Sequence, residues 1–131
     1  MPQPVLAQID AEMKVLESAC PGAGAGALAA VLEPAIALVA RTLRAALDAA
    51  GRPAPAPEAD VLEVWRALVK GDPTWNAVRD SCRELVFYRN CLAAGRADAL
   101  PPVPHRMAVR TARHIFLYVR SRLERAAGAP R

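Results

Sequence analysis

The sequence predicts an all-α fold, a compact single-domain bundle of about five helices, and three observations predict it. The apolar fraction of 53% comes chiefly from Ala, Leu and Val, with only 5% aromatic residues, a balance that favours helix over sheet. Apolar residues recur at intervals of three and four along the chain, as one face of a helix requires. Gly22, Gly51, Gly71, Gly95 and Gly128 each close such a segment, where a left-handed residue commonly ends a helix. The 131 residues suffice for one core and not for two.

The first helix is expected over residues 4–20, with Val5, Leu6, Ile9, Met13 and Leu16 on one face and Asp10, Lys14 and Glu17 on the other. The second, residues 25–50, carries Leu28, Leu32, Ile36, Val39, Leu43 and Leu47 in register. Val31 and Leu38 widen that stripe until the helix is apolar nearly all round, which suits the centre of a bundle. Pro34 lacks an N–H and is expected to kink or split it. The run GRPAPAP, residues 51–57, follows as a stiff connector, because each proline restricts both itself and its predecessor.

The third helix, residues 58–70, presents Val61, Val64, Trp65 and Leu68, and only Gly71 and Asp72 separate it from the fourth, residues 73–94. So short a joint makes the two immediate neighbours. Pro57, Pro73 and Pro104 sit where a first-turn proline is tolerated, and Asp72 is placed to cap the fourth helix. RADALPPVP, residues 96–104, is a second rigid connector before the fifth helix, residues 105–127, and the tail GAPR is expected to fray.

The net charge of +4 is unevenly spread. Up to residue 74 there are nine acidic against six basic side chains; from residue 75 there are eleven arginines against four acids. One reading is a basic C-terminal flank for an acidic partner, a nucleic acid or a phosphorylated ligand; the other is that the two halves neutralise each other on folding.

On a helical wheel the fourth helix groups Trp75, Val78, Cys82, Leu85, Val86 and Leu92, and Arg89 falls inside that arc. A guanidinium keeps its proton, so a buried Arg89 needs a carboxylate such as Glu33, Asp60 or Glu63, or else an anionic ligand. Arg79, Arg83 and Asn90 form a polar strip beside the arc, either a clamp for phosphate or carboxylate or a plain solvated face. In the fifth helix Ala108, Ala112, Ile115, Phe116, Val119 and Leu123 form the apolar arc. Arg106, Arg110, Arg113 and His114 sweep the other side around Leu117. An apolar residue within a basic face is what a contact surface presents, and equally what one stray surface leucine presents.

Catalytic and metal signatures are absent. Cys82 and Cys91 are nine residues apart, as are His105 and His114, which turns a helix half way round and prevents chelation within one helix. Only a cross-helix pair of Cys91 and His105 is left open. Gly22, Gly24 and Gly26 have the wrong spacing for a dinucleotide loop. No cofactor is expected. Three cysteines without a secretory signal point to a reduced cytoplasmic setting, and the Ala-rich second helix, interrupted by Glu33 and Pro34, reads as a buried helix rather than a membrane span.

The expected function is therefore non-catalytic. The chain reads as a small interaction module that binds a protein partner or associates with itself as a dimer. Its anion-accepting flank comprises Arg79, Arg83, Arg89, Asn90, Arg106, Arg110, Arg113, His114 and Leu117. Nucleic-acid binding through the basic helices is the alternative, followed by a helical enzyme or small anionic-ligand binder centred on Arg89 and His114.

Overall fold

Five α-helices and two short 3₁₀ turns build the described residues, 3–20, 22 and 26–128, of the computed structural model, with no strand among them. The helices are α1 (Gln3–Ser18), α2 (Ala27–Ala49), α3 (Val61–Gly71), α4 (Arg79–Ala93) and α5 (Pro104–Gly128). The turns are Pro73–Val78 and Ala97–Ala99.

The near all-round apolar surface of α2 places it at the centre: it packs on all four other helices, most extensively on α5. Around it the others follow in the order α1, α5, α4, α3, each touching the next. Leu32, Val39, Leu43 and Leu47 of α2 are buried, as are Leu68, Leu85, Ile115 and Phe116 from the surrounding helices. Truncating a buried ring such as Phe116 to alanine costs about 3–5 kcal/mol in a core of this kind. The expected split at Pro34 does not occur, and α2 runs through it. Pro34 and Ala30, whose carbonyl loses its usual donor, both lie on the exposed side, where water can replace the missing bond.

The closing glycines act in different ways. Gly51 and Gly95 both have φ 67 and complete the same capping motif. Gly51 N–H donates to the Asp48 carbonyl and Arg52 N–H to Leu47; Gly95 N–H donates to Leu92 and Arg96 N–H to Cys91. Crossed bonds of this kind satisfy carbonyls that a helix end leaves orphaned. Gly71 is instead the last residue of α3 with an ordinary backbone, and the Arg52 guanidinium occupies the space its Cβ would need. That guanidinium donates to the Leu68 carbonyl at 2.9 Å, a favourable position for a cation at a helix C-terminus. Gly22 lies beyond the end of α1, and Gly128 is still helical. The tail from 129 onward is outside the described residues.

Two ends differ from the sequence expectation. Helix α3 begins at Val61 rather than near residue 58, because Glu58 lies in a turn that belongs to the connector. The connector is held to α2 by Arg44, which donates to the carbonyls of Pro55 and Ala56 at 3.0 and 2.6 Å. The fourth segment opens with a 3₁₀ turn. Asp72 accepts from Thr74 N at 3.0 Å as its cap, and Trp65 Nε1 donates to the Trp75 carbonyl at 3.0 Å. In an α-helix that carbonyl would serve the Arg79 N–H, which donates to Asn76 instead.

Candidate functional site

Folding pairs three of the C-terminal arginines, Arg89, Arg113 and Arg122, with acids from the N-terminal half. Arg89 donates from Nη1 and Nη2 to Asp60 Oδ1 and Oδ2 at 2.8 and 2.7 Å. Arg113 bridges two carboxylates of α1, with Nη1 on Asp10 and Nε and Nη2 on Glu17 at 3.0 and 2.6 Å. Arg122 stacks its guanidinium 3.8 Å above the Trp75 ring and donates to Asp72 at 2.9 Å. Hydrogen bonding to Arg113 holds the Asp10 carboxyl below its ordinary value, and hydrogen bonding to Arg89 does the same for Asp60. The same contacts, those of Glu17 foremost, raise Arg113 further above its already high value.

Of the three acids available to Arg89 on sequence grounds, Asp60 makes the ion pair, and the guanidinium is held at the edge of the core rather than inside it. The buried side of α4 is rotated toward α5: Tyr88 and Cys91 are buried, and Leu92 is 39% exposed. Glu84 marks the seam, accepting from the Tyr88 hydroxyl at 2.6 Å and from Thr111 Oγ1 of α5 at 3.2 Å. Burial first, and Glu84 second, push the Tyr88 hydroxyl above its ordinary range.

The exposed arginines do not form one surface. Arg79, Arg83, Arg106 and Arg110 are exposed and make no ion pair among the described residues. On α4, Arg79, Arg83 and Asn90 point about 100–140° away from the Glu84 seam. On α5, Arg106 and Arg110 turn away from Thr111 by a similar angle in the opposite sense, toward α1. Between the two strips lie Asp80, exposed Phe87 and His114. Phe87 is an exposed aromatic that the sequence reading did not single out; its place opposite the apolar arc of α4 was the available signal.

Arg106 and Arg110 do converge, with Arg113, on a depression of about 450 Å³ closed by Glu17, Cys20 and Val109. Leu117, 42% exposed, stands on the same side of α5, within about 40° of both free arginines on the wheel. Arg89 and His114 are not brought together: Arg89 faces the start of α3, and His114 is on the outer side of α5.

All three cysteines are free; Cys82 and Cys91 are buried and Cys20 is partly so. Desolvation pushes the Cys82 thiol up to about 12, which leaves it protonated and inert. No group of three His, Cys, Asp or Glu side chains able to hold a metal occurs among the described residues. Among them, too, no helix is long and apolar enough to cross a membrane. Compared with protein-family models, with curated proteins and with solved structures, the chain matches none.

Proposed function

We propose that the outer face of α5 docks an acidic segment of a protein partner, making this chain a small non-catalytic interaction module of a reducing, cytoplasmic setting. The observation that carries it is the strip of Arg106, Arg110 and Leu117: two exposed arginines without carboxylates and an exposed leucine, aligned on one side of one helix. The strip spans about 16 Å at 1.5 Å per residue, the reach of a short peptide segment. Arg113 supports it by clamping α5 to α1 through Asp10 and Glu17, so the face is rigid before a partner arrives. Three free thiols suit the reducing compartment.

Charge count favours an acidic protein over a nucleic acid. Each neutralised phosphate needs a cation, and Arg89, Arg113 and Arg122 already have carboxylates, while Arg79 and Arg83 are on α4 and Arg125 lies about two turns beyond Leu117. Self-association is the competing reading, but α2 motivates it less, because its large apolar side chains are buried against the other four helices of the same chain. Exposed apolar side chains such as Leu117, Phe87 and Val15 remain to support a dimer.

The test is fluorescence anisotropy with a labelled peptide of alternating glutamate and leucine, beside single- and double-stranded oligonucleotides, across a salt series. The expected result is peptide binding that is lost in the Arg106→Glu, Arg110→Glu double variant and in Leu117→Asp, and kept when Arg79 and Arg83 are reversed. Sub-micromolar oligonucleotide binding that persists at physiological salt would overturn the reading. A concentration-dependent dimer mass in light scattering, abolished by Leu117→Asp, would replace the partner with a second copy.

A further inference from the structure

A separate cavity of about 320 Å³ opens at the N-terminal end of α5, where the N-termini of α2 and α5 meet the end of α4. Its walls are apolar, with Leu28, Leu92, Leu100 and Val103 among them. Residues that carry backbone hydrogen-bond donors line one side of it. The first hydrogen bond of α2 runs from Ala30 N–H to the Gly26 carbonyl at 3.0 Å, which leaves the amides of Ala27, Leu28 and Ala29 without partners inside the helix. Gly26 has no side chain to cap them. At the start of α5 the N–H groups of Arg106 and Met107 both go to the Val103 carbonyl, at 3.1 and 3.2 Å. The positive ends of two helix dipoles therefore share one apolar hollow.

The second observation is His105. It lines the same cavity, is only 3% exposed, and its Nε2 has no hydrogen-bond partner. Buried polar atoms in folded proteins are nearly always satisfied, and an orphan of this kind calls for a missing partner. Beside it Val103, a β-branched residue, holds φ at 46, a strained conformation that such residues rarely adopt.

We propose that this cavity is a binding site for a small amphipathic anion, a carboxylate at the end of an apolar chain. The carboxylate accepts from the first-turn amides of α2 and from His105 Nε2–H, and the chain lies against Leu28, Leu92 and Leu100. The volume sits at the low end for ligand pockets, so the chain is short. Each feature is assigned one part of the ligand: the donors take the head, the leucines take the tail. This site shares no residue with the Arg106–Arg110–Leu117 strip, so the two readings stand or fall separately.

The experiment is titration of the ¹⁵N-labelled protein with octanoate, with octanol as the same chain without charge and acetate as the same head without chain. The expected result is saturable shifts at the amides of Ala27, Leu28, Ala29 and His105, with octanoate binding about tenfold or more tighter than either control. His105→Phe, which keeps the bulk, should weaken octanoate and leave octanol unchanged. Ala29→Glu places a carboxylate in the first turn of α2, where it stabilises the helix. That variant should fold at least as well as the parent and lose octanoate binding about tenfold, because its fixed negative charge at the start of α2 repels the ligand's carboxylate. Equal affinity for octanoate and octanol, shifts located elsewhere, or undiminished octanoate binding in Ala29→Glu would overturn the proposal.

Discussion

Arg89 of α4 and Asp60, the residue that precedes α3, meet in a two-pronged ion pair of 2.8 and 2.7 Å that ties the start of one helix to the middle of the other. The side chains are 30% and 39% exposed, between the surface pairs worth about 0–1 kcal/mol and the buried pairs whose disruption costs about 3–5 kcal/mol. Arg89→Ala is therefore expected to lower stability by about 1–2 kcal/mol in urea denaturation, and Arg89→Met by less, because it keeps the packing of the stem. A double-mutant cycle with Asp60→Asn measures the pair itself; a coupling of zero would show that only packing is at stake.

The carboxyls paired with arginines set the acid limit of the fold. Asp10 and Asp60 are lowered from 3.8, chiefly by hydrogen bonds from Arg113 and Arg89, and Glu12 is lowered from 4.5 to about 2, chiefly by Arg41. A carboxyl depressed in the folded state stabilises it above the unfolded value and loses that contribution as pH falls through the folded value. Stability should be flat from neutrality to about pH 4.5 and fall steadily toward about pH 2. In Arg113→Gln the curve should start lower and fall less steeply, and an unchanged slope in acid denaturation followed by circular dichroism would contradict this.

Cys82 acts at the other end of the pH scale. Burial raises its thiol from 9.0 to about 12, so its contribution is complete below pH 9 and is lost as pH rises toward 12, the unfolded chain releasing the proton first. Cys82→Ala should flatten alkaline destabilisation over that window. In the native protein at pH 8 a thiol reagent should modify Cys20 quickly, and Cys82 and Cys91 only on the timescale of opening, since both are buried.

Glycine replacements separate backbone conformation from space. Gly51→Ala and Gly95→Ala, both at φ 67, should each cost about 1–2 kcal/mol, the strain of a left-handed alanine. Gly128→Ala, in the last turn of α5 with open space around it, should cost nothing. At Gly71 the backbone accepts alanine but the methyl displaces Arg52 from the Leu68 carbonyl, so prior removal of the Arg52 side chain should largely erase the loss. Thermal denaturation of the four variants, and of Gly71→Ala in an Arg52→Ala background, checks all of this.

Helix number, order and the central place of α2 were legible in the chain itself, because they follow from local periodicity and from the all-round apolar surface of residues 27–49. The caps at Gly51 and Gly95 and the N-cap at Asp72 were legible for the same reason: each depends on a few adjacent residues. The fate of the arginines was not. Arg89 is matched across 29 positions, Arg122 across 50 and Arg113 across 96 and 103, and no periodicity along the chain carries which distant carboxylate arrives at which guanidinium. The direction in which α4 and α5 turn their free arginines apart is set by the rotation of each helix about its own axis against α2, and the cavity at His105 exists only because three helix ends meet there. Local propensity determines the elements; the packing of their apolar faces decides which charges are paired, which remain free, and where donors are left without partners.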